Sequence, residues 1–366
     1  MLALAAALSA PSLLAGQQRA ASDSIPYDSL AARIVAALGP DRGERAILRV
    51  HAPTMPALAS RLSERLRSVG VSVDVMDYGD VPDFERRLAA ASIYVWLPTP
   101  SGVAPTPRER AELTRWLQSK RGRQIHFHWS SITTTVDGQF ITAPPGYDRL
   151  HTNAVLAVDY ARMRRELDRL ASQLRRGEVR VPTPNGTDVR FSVGDRPITT
   201  QDGDASRTRL ADSRVPIDRE IELPAGVLRV APLERTVTGP MVIPALHLDA
   251  ATVARDVRLT FAAGRATQVA SATHETRVRE LFTSTPALVH FRELGIGVNP
   301  ILSVTPTDSI VPYAGYGAGV VRLGLGDNTE LGGTVRGGAV RWIFFSDATV
   351  TVGRDTLVAR GRLRSR

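Results

Sequence analysis

Apolar positions along the first third of the chain alternate between helical and strand spacing. Leu30, Ile34, Val35 and Leu38 share one face of a helix predicted over 28–38, which Gly39–Pro40 would stop. The run 46–51 reads as a strand. Leu58, Leu62, Leu66 and Val69 then return to helical spacing up to Gly70. Strands at 71–76, 92–97 and 123–129 and a short helix at 83–90 continue the alternation. Thr106, Pro107 and Glu109 spell a capping box with proline in the first helical turn, opening a helix to about Ser119. Short apolar strands separated by helices predict a parallel, doubly wound sheet. The stretch 135–150 reads as a loop. A helix capped by Asp159 follows over 159–174, with Met163, Leu167, Leu170 and Leu174 as its apolar stripe. Beyond Gly177 the spacing changes to strand alternation at 178–182, 187–193, 226–232 and 255–261, interrupted by one helix near 273–282. The expected organisation is an α/β domain over 23–155 and a β-rich domain over 156–366.

Composition narrows the functional classes. The net charge is +9, carried almost wholly by arginine, with Lys120 as the one lysine. No basic run is interleaved with aromatic residues, so no nucleic-acid partner is predicted. The chain has no cysteine, which excludes thiolate nucleophiles, thiolate metal sites and disulfides. Residues 2–16 are small and apolar and read as the core of a secretory signal peptide, placed over 1–22. They predict export to the periplasm or beyond the cell, and the run is too short and too broken by Pro11 for a membrane span. The turn 51–56 after the first strand lacks both a glycine fingerprint and a Walker lysine, which argues against a nucleotide. No G-x-S-x-G elbow is present. His126 and His128 share a strand face, and with no carboxylate beside them in sequence they read as a packed or edge-exposed pair. The run 201–207, with two aspartates, reads as a surface loop.

The segment 292–341 combines recurrent glycine with short apolar runs and holds Glu293, Arg322 and Arg341 in apolar surroundings. Charges in apolar strands are costly unless paired, so a site is expected there.

The order of several motifs resembles the aminopeptidase T family of metallo-aminopeptidases, leucyl aminopeptidase-type enzymes with two metal ions. These motifs are N-G-T-D-V-R-F-S-V-G-D-R at 185–196, E-L-P-A-G at 222–226, E-L-G-I-G-V-N-P at 293–300, L-G-D-N at 325–328 and G-G-T at 332–334. The resemblance implies an N-terminal α/β domain, a β-rich domain carrying two divalent ions such as Zn, Co or Mn, and often a homodimer. Carried over residue by residue, the family's ligand positions fall on Val227, Glu293, the segment Ala314–Gly315–Tyr316, Arg322, Arg341 and Ile343. Only Glu293 is a ligand type, and arginine offers no lone pair to a metal. The expectation is therefore a degenerate member, leaning non-catalytic and without metal cofactor. In it, Arg322 and Arg341 would replace the metal charge beside Glu293 and leave a pocket for a peptide or small anionic ligand. The alternative is a metallo-aminopeptidase with rearranged ligands drawn from His247, His274, Glu275 and His290.

Overall fold

The computed structural model describes residues 25–79, 81–100, 103–129, 133–135, 140–249 and 251–364; the expected signal segment lies outside them. The first half forms the alternating pattern read from its periodicity. Strands Arg45–Val50, Ser72–Asp77, Ile93–Trp96 and Arg123–Phe127 pair in parallel, flanked by helices Tyr27–Leu38, Pro56–Ser68, Phe84–Ala89 and Pro107–Gln118. The capping box is present: Thr106 Oγ1 accepts from Glu109 N, and the Glu109 carboxylate accepts from Thr106 N. Asp159 caps the helix Tyr160–Leu174 by accepting from Arg162 N, and Met163, Leu167, Leu170 and Leu174 are buried along it. Among the described residues no helix is long and apolar enough to cross a membrane.

The fifth strand of the parallel sheet comes from far along the chain. Glu220–Leu223 pairs in parallel with Arg123–Phe127 at the sheet's outer edge, with Glu222 opposite His126. Its alternation explains the choice. Ile221 and Leu223 are fully buried on the core side, which turns Glu220 and Glu222 to the other face.

A second, antiparallel sheet runs in the order Val340–Phe345, Val321–Gly326, Phe291–Gly297, Val227–Val230, Ile198–Gln201. Gln201 ties it to the first sheet: its side-chain amide donates to Glu220 O at 2.9 Å and accepts from Glu222 N at 2.9 Å. One apolar cluster runs through both sheets and includes Leu48, Ile125, Leu167, Leu228 and Leu323. The architecture is thus mixed α/β, a parallel sheet joined to antiparallel sheets.

Two local expectations are corrected. The stretch expected as a loop over 135–150 contains the start of a helix, Tyr147–Leu156, whose His151, Ala154 and Val155 are buried. Tertiary packing recruits a segment with weak periodicity. The run 201–207 is not a surface loop: Gln201 and Asp202 are buried, and Arg164 reaches Asp202 at 3.0 Å and Asp204 at 2.8 Å.

Candidate functional site

Side chains alternate between the faces of a strand, so the register of the antiparallel sheet decides which charges meet. Arg229 stands opposite Gly295, and Gly295 stands opposite Arg322. Glu293 stands opposite Gly324, which stands opposite Trp342. Arg229, Glu293 and Arg322 therefore lie on one face, away from the main apolar core. Between Phe291 and Glu293 the pairing shifts by one residue. Such a bulge re-aims side chains and brings Arg292 to the same side as Glu293. A Cβ on Gly324 would lie 2.8 Å from Glu293 Cγ and 3.2 Å from Arg292 Cδ; one on Gly295 would lie 3.2 Å from Arg322 Nε. The two glycines leave room for the charged side chains to lie flat on the sheet.

The Glu293 carboxylate has no exposed surface and is ringed by three guanidinium groups. Arg322 Nε is 3.0 Å from Oε1; Arg229 Nη2 is 2.9 Å and Arg292 Nε 3.3 Å from Oε2. Glu330 closes the outer side by pairing with both Arg229 and Arg292. Burial alone would push the Glu293 carboxyl up, but Arg229, Arg322 and Arg292 outweigh it and hold it well below the usual carboxylate range. Burial lowers Arg322 to about 10 against the pull of Glu293, so it remains cationic at neutral pH. Arg322 Nη1 donates to Ala314 O at 3.2 Å, while Nη2 is buried without a hydrogen-bond partner among the described residues.

Of the three charges expected to meet, the structure joins Glu293 and Arg322 and leaves out Arg341. Arg341 stands opposite Leu325, on the face opposite to Glu293, and its side chain is exposed on the sheet's edge strand. Ile343 lies on that same far face, buried in the main core. A one-residue difference in register separates them from Trp342 and Phe344, which do line the Glu293 face. Val227 is on the Glu293 face, two residues from Arg229, in a small apolar cluster with Tyr313 and Tyr316. Arg229 and Arg292 take the place that Arg341 was expected to fill. Arg229 was open to detection by the criterion that picked out Arg322, a charge inside the apolar run V-L-R-V. Glu330 sits beyond the strands, and its contact depends on the fold.

A second polar group adjoins the first at the carboxyl end of the parallel sheet. His126 and His128 project from Arg123–Phe127 and its extension, and Glu220 and Glu222 from the neighbouring strand. Glu220 Oε1 is 3.3 Å from His126 Nδ1, and Glu222 Oε1 is 3.8 Å from His128 Nε2. The His126 ring stacks on Trp96 at 4.0 Å, and His128 lies 5.2 Å from the Tyr313 ring. Tyr316 OH donates to Glu222 Oε2, and the Arg322 guanidinium lies 5.9 Å from the Tyr316 ring centre, so Tyr316 links the two groups. Burial, with the nearby Glu222 and Glu330, pushes the Glu220 carboxyl up to about 8. Burial and His128 hold His126 well below its ordinary value, as a neutral ring. At Glu222 burial is outweighed by the hydrogen bond with His128 and by Arg229 and Arg322, and its carboxyl is lowered.

The histidine pair is therefore not isolated from carboxylates, as its sequence neighbourhood suggests. The partners are supplied by a strand almost a hundred residues later. His126, His128 and Glu222 bring one ligand atom each within 4.8 Å of one another, and they are the one group of three or more such residues among those described. The alternative ligands His247, His274, Glu275 and His290 form no such group.

No family model matches the chain, and no curated protein matches it. Solved structures do. 2,5-Dihydroxypyridine dioxygenase from Pseudomonas putida KT2440 superposes with a TM-score of 0.64 at 15% identity, over 94% of this chain and 98% of that one. Wild-type AmpT from Thermus thermophilus, an aminopeptidase T, superposes with a TM-score of 0.59 at 13% identity, over 92% of this chain and 98% of that one. Both likenesses extend over nearly the full length, and the chain has an aminopeptidase-like fold.

Proposed function

We propose that this chain is a non-hydrolytic protein on an aminopeptidase-like scaffold, one that binds a small anion or a peptide carboxylate and does not cleave peptides with metal ions at Glu293. The observation that carries the reading is the state of Glu293. Its carboxylate faces three guanidinium groups at 2.9–3.3 Å, so fixed positive charge already stands where a cation would have to bind. Three fixed positive charges at the same place repel a divalent ion. The buried Nη2 of Arg322, without a hydrogen-bond partner among the described residues, supports capture of a carboxylate, which guanidinium groups bind through paired N–H donors. The fold alone does not choose the chemistry, because an aminopeptidase T and a dioxygenase share it. Export and a homodimeric assembly belong to the same proposal.

The test uses the full chain with leucine p-nitroanilide and added Zn²⁺, Mn²⁺ or Co²⁺. The expected result is no turnover above the metal-containing buffer. Chelator-sensitive turnover that disappears in a folded Glu293→Gln variant would overturn the reading. Calorimetric titration with N-acetyl-leucine against leucinamide tests the ligand class. Binding is expected for the carboxylate alone and is lost in Arg322→Met.

A further inference from the structure

We infer that His126, His128 and Glu222 form a mononuclear site for a divalent first-row transition ion, at the carboxyl edge of the parallel sheet and separate from the Glu293 network. The donor set is two imidazoles and one carboxylate. That set suits Zn²⁺, Co²⁺ or Fe²⁺ and not Mg²⁺ or Ca²⁺, which take mainly oxygen ligands.

The geometry is largely prepared. His126 and His128 alternate onto one face of a strand, and parallel pairing sets Glu222 directly opposite His126. The three ligand atoms lie within 4.8 Å of one another. Tetrahedral ligands at about 2.0–2.1 Å from zinc are separated by roughly 3.3 Å. The remaining gap, at most about 1.5 Å, falls to rotation of the side chains.

The groups behind the ligands are those that metal sites use to hold ligands in place. Trp96 stacks on the His126 ring at an interplanar angle of 8°, and Tyr313 flanks His128. Tyr316 OH engages Glu222 Oε2, leaving Oε1 on the side of His128 Nε2. Glu220 stands at His126 Nδ1, the place of an outer carboxylate orienting a histidine.

Access is also present: the side chains of His126, His128 and Glu222 retain 15%, 12% and 18% exposure. Three protein ligands leave at least one position open for water or an oxygen-donor ligand, the arrangement of a reactive site and not of a closed structural one. Such an ion would act as a Lewis acid toward that ligand. The inference is independent of the reading of Glu293, since none of the three ligands belongs to the three-arginine network.

The test is metal binding by the full chain, freed of metal by chelator and gel filtration. Titration with Co²⁺ is expected to give visible d–d absorption that saturates at one equivalent, with quenching of Trp96 fluorescence that is absent in Trp96→Phe. Zn²⁺ displaces the Co²⁺ signal, and millimolar Mg²⁺ or Ca²⁺ does not. His128→Gln and Glu222→Gln lose the absorption while keeping the circular dichroism of the parent. Tyr316→Phe, which leaves all three ligands in place, weakens binding roughly tenfold or more through loss of the carboxylate's orienting partner. Glu293→Gln leaves the stoichiometry at one. The inference is overturned if the parent takes up no Co²⁺ at one equivalent. It is equally overturned if a folded His128→Gln variant binds the ion as tightly as the parent, or if Mg²⁺ competes at equal concentration.

Discussion

Replacing Glu293 by glutamine removes one negative charge from the centre of the arginine network while keeping the size of the side chain. Arg229 and Arg292 retain Glu330 as a counter-charge, but Glu293 is the one carboxylate within ion-pair distance of Arg322 among the described residues. At 3.0 Å and an effective dielectric of about 20, one such pair has a gross Coulomb energy on the order of 5 kcal/mol. The amide oxygen of glutamine still accepts a hydrogen bond, and the remaining arginines relax outward, so the net loss is smaller. Breaking a buried pair by removing one partner costs about 3–5 kcal/mol. Equilibrium urea unfolding, followed by circular dichroism and tryptophan fluorescence together, should show that loss with little change in the slope on denaturant. Arg341→Ala is the internal control, because its side chain is exposed on the far face; its effect should stay within about 0.5 kcal/mol. A loss below about 1 kcal/mol for Glu293→Gln, or an equal loss for Arg341→Ala, would refute the assignment of the network.

Two further outcomes follow from the geometry. Gly324→Ala puts a methyl group 2.8 Å from Glu293 Cγ and 3.2 Å from Arg292 Cδ, and overpacking of this kind should cost about 1–3 kcal/mol, read as a lowered Tm. In the parallel sheet, Arg123 donates to both oxygens of the nearly buried Glu44 carboxylate at 2.7 Å. Burial opposes ionisation there, but Arg123, the Asp41 backbone N–H and Ser92 prevail and lower the carboxyl from 4.5 to about 2. A depressed folded-state pKa contributes stability that is fully present above the unfolded value. That contribution, on the order of 3 kcal/mol, is lost as the pH falls from about 4.5 toward 2. Glu44→Gln should therefore lower stability at pH 7 and flatten its acid dependence over that window; an unchanged slope from pH 5 to pH 2 would count against it.

The local rules written into this chain carried far. The alternation of helical and strand periods determined the four early parallel strands and their helices. The capping box at Thr106 and the cap at Asp159 marked two helix starts within a residue. An apolar setting was enough to single out Glu293 and Arg322, since a buried charge requires a partner wherever the strand goes. None of these conclusions needs a contact distant in sequence. The membership of the site was a different matter. Arg341 and Trp342 are neighbours in sequence, but a single step of register sends one to the far face, where its side chain is exposed at the sheet edge, and the other to the face of Glu293. Register is set by pairing between strands, and the bulge at Arg292 resets it locally. Arg229 reaches Glu293 from 64 residues earlier and Glu330 reaches Arg292 from 38 residues later, and Glu222 reaches His126 and His128 only because Glu220–Leu223 returns to the edge of the first sheet. Periodicity along a chain states which faces are apolar. Which polar faces are brought together is decided by strand order and pairing, and in this protein both polar groups, the arginine network and the histidine–carboxylate cluster, exist through pairings of that kind.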